Sequence, residues 1–146
     1  MNGLTLRGLK RLLAIAFQGE TPPVDFYLAL VQASPAPTAL TTTLSGLTQV
    51  ANGNGYVTGG VALNRDAVDF DVLEEDTTGL SVYLQIRDVS WTAVGGSIAS
   101  AAYAVLTDSH ATIGSREVWA YWPFGAARTV TVGRTLPLSD LEITFQ

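Results

Sequence analysis

The apolar positions of this chain change period once. From Leu4 to Phe17 they recur at three- and four-residue steps: Leu6, Leu9, Leu12, Leu13, Ala16 and Phe17, with Arg7, Lys10 and Arg11 on the other side. That is the 3.6-residue period of an amphipathic helix. Gly8 weakens it without overturning it, and Gly19 followed by Thr21-Pro22-Pro23 ends it. The pattern predicts an N-terminal helix within residues 1–20 that docks on the body and leaves its basic face in water.

After the helix the period becomes that of strands. Val24 to Gln32, "VDFYLALVQ", is almost continuously apolar, as in a strand buried on both faces. Leu80 to Trp91 alternates, with Leu80, Val82, Leu84 and Ile86 on one face and Ser81, Tyr83, Gln85 and Arg87 on the other. Ser97–Asp108, Arg116–Phe124, Arg128–Gly133 and Leu141–Gln146 read as further strands. Turns are expected at "VGG", "DSHATIGS", "GAA" and "GRTLPLSD". The stretch "VSWTAVGGSIASAAYAVLTD" (Val89–Asp108) reads as a β-hairpin that turns at Gly95-Gly96 and is anchored by Trp91. Ala99, Ala101, Ala102 and Ala104 keep its second strand thin, so that another sheet or subunit can approach closely. Asn52-Gly53 and Asn54-Gly55 mark turns, and Tyr56 onward reads as a strand bent at Gly59-Gly60. The fold class predicted is a single, mainly β domain over 1–146, an antiparallel β-sandwich or barrel-like body with one N-terminal helix. The Pro-, Thr- and Ser-rich segment 33–46 is either an extended arm or a surface loop.

Composition sharpens this picture. Charged residues make up 14% of the 146 residues and apolar residues 47%, and mean hydropathy is +0.27. Such a surface suits a chain that hides part of itself against copies or a partner. The net charge of −5 and scattered cations argue against nucleic acid, whose phosphates require clustered Lys and Arg. The basic-then-apolar start resembles a signal peptide, but Leu12–Phe17 is too short for its apolar core. No apolar run is long enough for a membrane span, so no membrane partner is expected.

Catalytic chemistry finds little to stand on. The absence of Cys removes disulfides, thiolate nucleophiles and Cys-zinc sites. His110 is the only histidine and lies in a turn. "GGSIA" (Gly95–Ala99) is not a nucleophile elbow, and the Asn-Gly loops lead into strand rather than helix, which excludes a phosphate loop. Asp88, Asp108 and Glu117 could in principle pair as carboxylates, but spacing along the chain does not fix their separation. The six acids between Asp66 and Asp76 lack the EF-hand order and read as a solvated acidic loop around a short strand, Val68–Leu73. The expectation is a non-enzyme with no metal and no cofactor. Trp119 and Tyr121 fall on one face of a period-two strand, with Ala120 and Trp122 on the other. Aromatic strands pack cores and subunit interfaces more often than they stack sugars, so a carbohydrate-binding module is a further alternative. The residues expected to meet a partner are Leu6, Leu9, Leu13 and Phe17 on the helix and Trp91, Tyr103, Trp119, Tyr121 and Trp122 on the strands.

In "NGY" (Asn54–Tyr56), "W-x-A-x-GG" (Trp91–Gly96), "A-x-YAV" (Ala101–Val105) and "AYW-x-FG" (Ala120–Gly125), the chain resembles small tailed-bacteriophage virion structural proteins. The match runs in order over most of the chain and rests on turns and strands. It departs from the group in the 33–46 segment and in the acidic 66–76 segment. The resemblance implies a virion protein of the capsid-decoration or head- or tail-fibre-associated type. Its partners would be copies of itself, a trimer being favoured, and the major capsid protein or other virion proteins. Its place would be the virion, assembled in the host cytoplasm.

Overall fold

The structure, a computed structural model, describes residues 3–146; the first two residues of the expected 1–20 helical segment lie outside them. The fold is mainly β, built from antiparallel sheets with one N-terminal helix, and the sheets do not close into a barrel. Helix α1 spans Leu6–Gln18. Thr5 caps its start, the hydroxyl accepting the Gly8 N–H, and Gly19 ends it in the left-handed conformation.

One layer is a four-stranded sheet in the order β2-β1-β6-β7: β1 Asp25–Val31, β2 Val61–Asn64, β6 Ile98–Asp108 and β7 Val118–Val130. The facing layer is a ribbon in two pieces. Strands β3 (Val72–Asp76), β4 (Ser81–Ile86) and β9 (Leu141–Phe145) form one piece, and β5 (Val89–Thr92) with β8 (Thr135–Leu138) the other. Only two residues separate β4 from β5 and β8 from β9, so the alternation predicted for Leu80–Trp91 is broken at Arg87-Asp88. There the Arg87 N–H donates to the Asp69 carbonyl and its guanidinium pairs with the buried Asp69 carboxylate.

Strand β1 is buried on both faces, as its unbroken apolar run predicts. Leu28 and Leu30 enter the main core between the layers, with Phe26, Ile86, Trp91, Leu106 and Trp119. Ala29 and Val31 face the other way into a second cluster with Val105 and Val118, closed by Leu44 and Leu47. Those leucines belong to the chain after β1. That segment lies across the outer face of its own sheet, held by a Thr43–Glu117 bridge and by the Val118 N–H donated to the Thr42 carbonyl.

Several strand assignments are corrected. The Val89–Asp108 hairpin does not exist: β5 pairs with β8, whereas β6 pairs with β1 and β7. The segment around Ala93 is already engaged on both sides, by Arg134 and Gly133 and by Asn54 through Val94, which leaves nothing to pair with β6. "GAA" is no turn, because β7 runs through it with Gly125 at φ +78° and shifts in register. The expected turn "GRTLPLSD" contains edge strand β8, whose Pro137 stands opposite Ser90. An edge position tolerates its missing N–H. The acidic strand is β3, Val72–Asp76, rather than Val68–Leu73, and β2 starts after Gly60 rather than at Tyr56.

Candidate functional site

Two of the motifs that carry the resemblance meet in space and form one fastener. The Asn54 carbonyl accepts the Val94 N–H at 3.0 Å, and the Asn54 side-chain amide donates to the Ser97 carbonyl at 2.9 Å. A Cβ on Gly55 would fall inside the Thr92 carbonyl, and one on Gly96 would sit 2.6 Å from Asn54 Oδ1. Tyr56 passes inward beside Trp91, ring centroids 6.0 Å apart. Its hydroxyl accepts the Leu30 N–H at 2.8 Å. Burial pushes the Tyr56 phenol up to about 12, offset in part by the Leu30 hydrogen bond and the Arg116 charge. These motifs are structural joints.

The seat of α1 is built on a bulge. Leu106 pairs with Ala120 and Thr107 with Val118, so Trp119 is the extra residue on β7. The bulge breaks the predicted alternation. Trp119 joins the main core edge-on to Phe26, centroids 5.1 Å apart, with Ala120 and Trp122, while Tyr121 packs with the second cluster. The freed Trp119 carbonyl accepts the Thr5 N–H at 2.8 Å. Gly8 lies directly over this backbone, where a Cβ would approach Trp119 Cα to 2.7 Å. The glycine that weakens the helix pattern is what lets the helix dock.

The orientation of the docked helix overturns the expectation of a solvated basic face. Arg7 reaches Glu117 at 3.2 Å and Arg11 reaches it at 3.1 Å, and Arg11 also pairs with Glu20. Gly8, Arg11, Ala14 and Ile15 face the body, while Leu6, Leu13 and Phe17 are 57%, 47% and 83% exposed. Leu9 is half-buried. Two of the three cations of the helix turn toward the body, and Leu6, Leu13 and Phe17 face outward. Glu117, just before the bulged strand and 106 and 110 positions away, takes up the cations.

Beside this crest opens an apolar cleft of about 430 Å³. Leu12 and Ile15 of α1 form one wall; Leu73, Leu84 and Ile143, neighbours across β3, β4 and β9, form another. Phe26, Phe70 and Trp119 line it as well, and Arg65 and Asp66 lie among Pro22, Pro23 and Ala67. Crest and cleft lie on the same helix, Leu9 and Leu13 on the one and Leu12 and Ile15 on the other.

The residues named from sequence therefore divide. Leu6, Leu9, Leu13 and Phe17 share this surface. Trp91 and Trp119 are core residues of the chain itself, so neither is open to a partner. Tyr103 and Tyr121 pack against the second cluster, and the half-buried Trp122 donates its indole N–H to the Glu142 carbonyl at 2.8 Å. With Trp119 buried, Trp119 and Tyr121 do not form an open aromatic platform.

The polar candidates hold local structure. Asp108 Oδ1 accepts the N–H groups of His110 and Glu117, and His110 Nδ1 accepts that of Thr112. Asp66 and Asp76 cap turns, and Glu74 accepts the Tyr83 hydroxyl. The Asn64 backbone N–H, together with the Arg87 guanidinium and the Asn64 amide, holds the Asp69 carboxyl below its ordinary range against the opposing effect of burial. Among the described residues no three or more His, Asp and Glu are grouped to hold a metal ion. No helix among them is long and apolar enough to cross a membrane.

Fold and surface define a class: a mainly β, sandwich-like protein whose one helix offers its apolar side to the outside. Comparison with protein-family models, with curated proteins and with solved structures finds no match.

Proposed function

We propose that this chain is a non-enzymatic bacteriophage virion structural protein, a capsid decoration (cement) protein that forms homo-oligomers on the capsid exterior and stabilises the shell. The observation that carries this reading is the outward apolar crest of α1 and its adjoining cleft. It sits on a body whose histidine, with Asp66, Asp69, Asp76, Asp108 and Glu117, is held in turns, caps and ion pairs. Contiguous exposed apolar surface of this kind marks an interaction site. The "NGY" and "W-x-A-x-GG" motifs add the resemblance to phage virion proteins, and their interlocking gives a rigid body on which to carry such a surface.

The chemistry of cementing is burial. At about 25 cal/mol per Å², a standard contact of about 1,600 Å² carries tens of kcal/mol gross, most of it offset by ordering and desolvation. Repetition over a shell multiplies the small surplus that remains. Quantitative mass spectrometry of purified particles tests the reading: a decoration protein is present at copy numbers comparable to the major capsid protein. A copy number far below that assigns it to the tail or a fibre. Particles that keep full heat resistance once the protein is stripped away would refute the cement role.

A further inference from the structure

We infer that the crest of α1 is a homotypic seam, covered in the working protein by the α1 crest of a second copy of this chain. This rests on the assembly reading above and names the surface through which copies meet.

Three observations select the occupant. The crest residues step as Leu6, Leu9, Leu13 and then Ala16-Phe17, the three-four spacing of a helix that packs against a like helix. Two such faces can pack on each other about a two-fold axis, the same patch serving both copies. The second observation is charge. Arg7 and Arg11 are turned onto Glu117, and Arg11 also onto Glu20, leaving Lys10 as the cation beside the crest. Two copies can therefore approach with little like-charge repulsion. An anionic lipid surface or a nucleic acid would need those arginines outward, where they could reach phosphate. The third is extent. A specific interface takes about 800 Å² from each partner, more than one short helix crest offers. The apolar surface continues beyond it. The Leu6 N–H donates to the Ala39 carbonyl, which brings the exposed Leu40 to the start of the helix. At the other flank Leu12 and Ile15 lead into the cleft.

Sedimentation velocity on the full chain tests the seam, with Leu13→Asp and Phe17→Asp against Val132→Asp, an exposed apolar position outside the crest and cleft. The wild type and Val132→Asp are expected to sediment as one defined oligomer, and the two crest variants as single chains with unchanged circular dichroism. Because the chain has no Cys, Leu13→Cys gives a second readout. Oxidation should link copies through residue 13, whereas Val132→Cys should not link. A wild-type monomer, an oligomer that survives both crest substitutions, or crest-dependent binding to anionic vesicles by a monomer would overturn the inference. The two readings fail separately: a monomer that still coats particles sinks the seam alone, and a crest-dependent oligomer absent from particles sinks the virion reading alone.

Discussion

The two ends of the sandwich treat the same kinds of residue in opposite ways. Around Tyr56, apolar side chains point inward, glycines are pressed against carbonyls, and Asn54 is bonded on both its backbone and its side chain. Around α1, leucines point outward, arginines point inward, and Leu73, Leu84 and Ile143 line an open cleft. The first end is complete within one chain. The second leaves apolar surface exposed, and the proposed assembly role rests on that difference.

Glycine substitutions should give the widest contrast. Gly60 sits at φ +81° with the Leu28 carbonyl where a Cβ would go. Gly60→Ala should cost about 4 kcal/mol or more, a large fraction of the stability of a domain of this size. Gly19, also at positive φ, has nothing within 4 Å, and Gly19→Ala should cost about 1–2 kcal/mol through backbone strain alone. Thermal unfolding followed by circular dichroism checks both; equal costs would erase the contrast.

Gly8→Ala lies between these extremes. It should lift α1 from the Trp119 backbone while the sheets persist, seen as faster proteolysis near residues 19–23 with the strand signal retained. Loss of the whole fold would mean that the helix is part of the self-sufficient end.

A smaller effect belongs to Tyr56→Phe. Removing the hydroxyl leaves the Leu30 N–H without its acceptor, a loss of about 1–3 kcal/mol. The phenol is raised from its ordinary value of 10.0 to about 12. Its contribution to stability is therefore present below pH 10 and lost as pH rises toward 12. That part of the alkaline instability should vanish in Tyr56→Phe. Asp69 has the opposite sign. Its carboxyl is lowered, so the stability it gives at neutral pH is lost as pH falls through that lowered value, and Asp69→Asn should flatten this part of the acid limb. Smallest of all should be the effect of Leu13→Asp on the unfolding of an isolated chain, within about 0.5 kcal/mol, because the site is a surface position there.

The sequence carried the closed end better than the open one. The unbroken apolar run of β1 announces a strand buried on both faces, and the glycines around Tyr56 announce tight turns. Less legible was everything set by distant partners. Nothing local shows that Arg7 and Arg11 will be claimed by Glu117, so the amphipathic pattern predicts a helix correctly and its orientation wrongly. A period-two reading cannot foresee the bulge at Trp119, which moves that ring away from Tyr121. Gly133 and Pro137 make an edge strand look like a turn, and the pairing of β5 with β8 closes over more than forty residues. The cleft exists only where β3, β4 and β9 come together beside α1, and no contiguous stretch encodes it.

Whether α1 presents its outer face to another copy is tested most directly by the dependence of the unfolding midpoint on protein concentration. If the crest is covered by self-association, the midpoint of the wild type should climb as the protein is concentrated, and that of Leu13→Asp should stay flat. A wild-type midpoint that does not move over a hundredfold change in concentration, matched by the variant, would contradict the account.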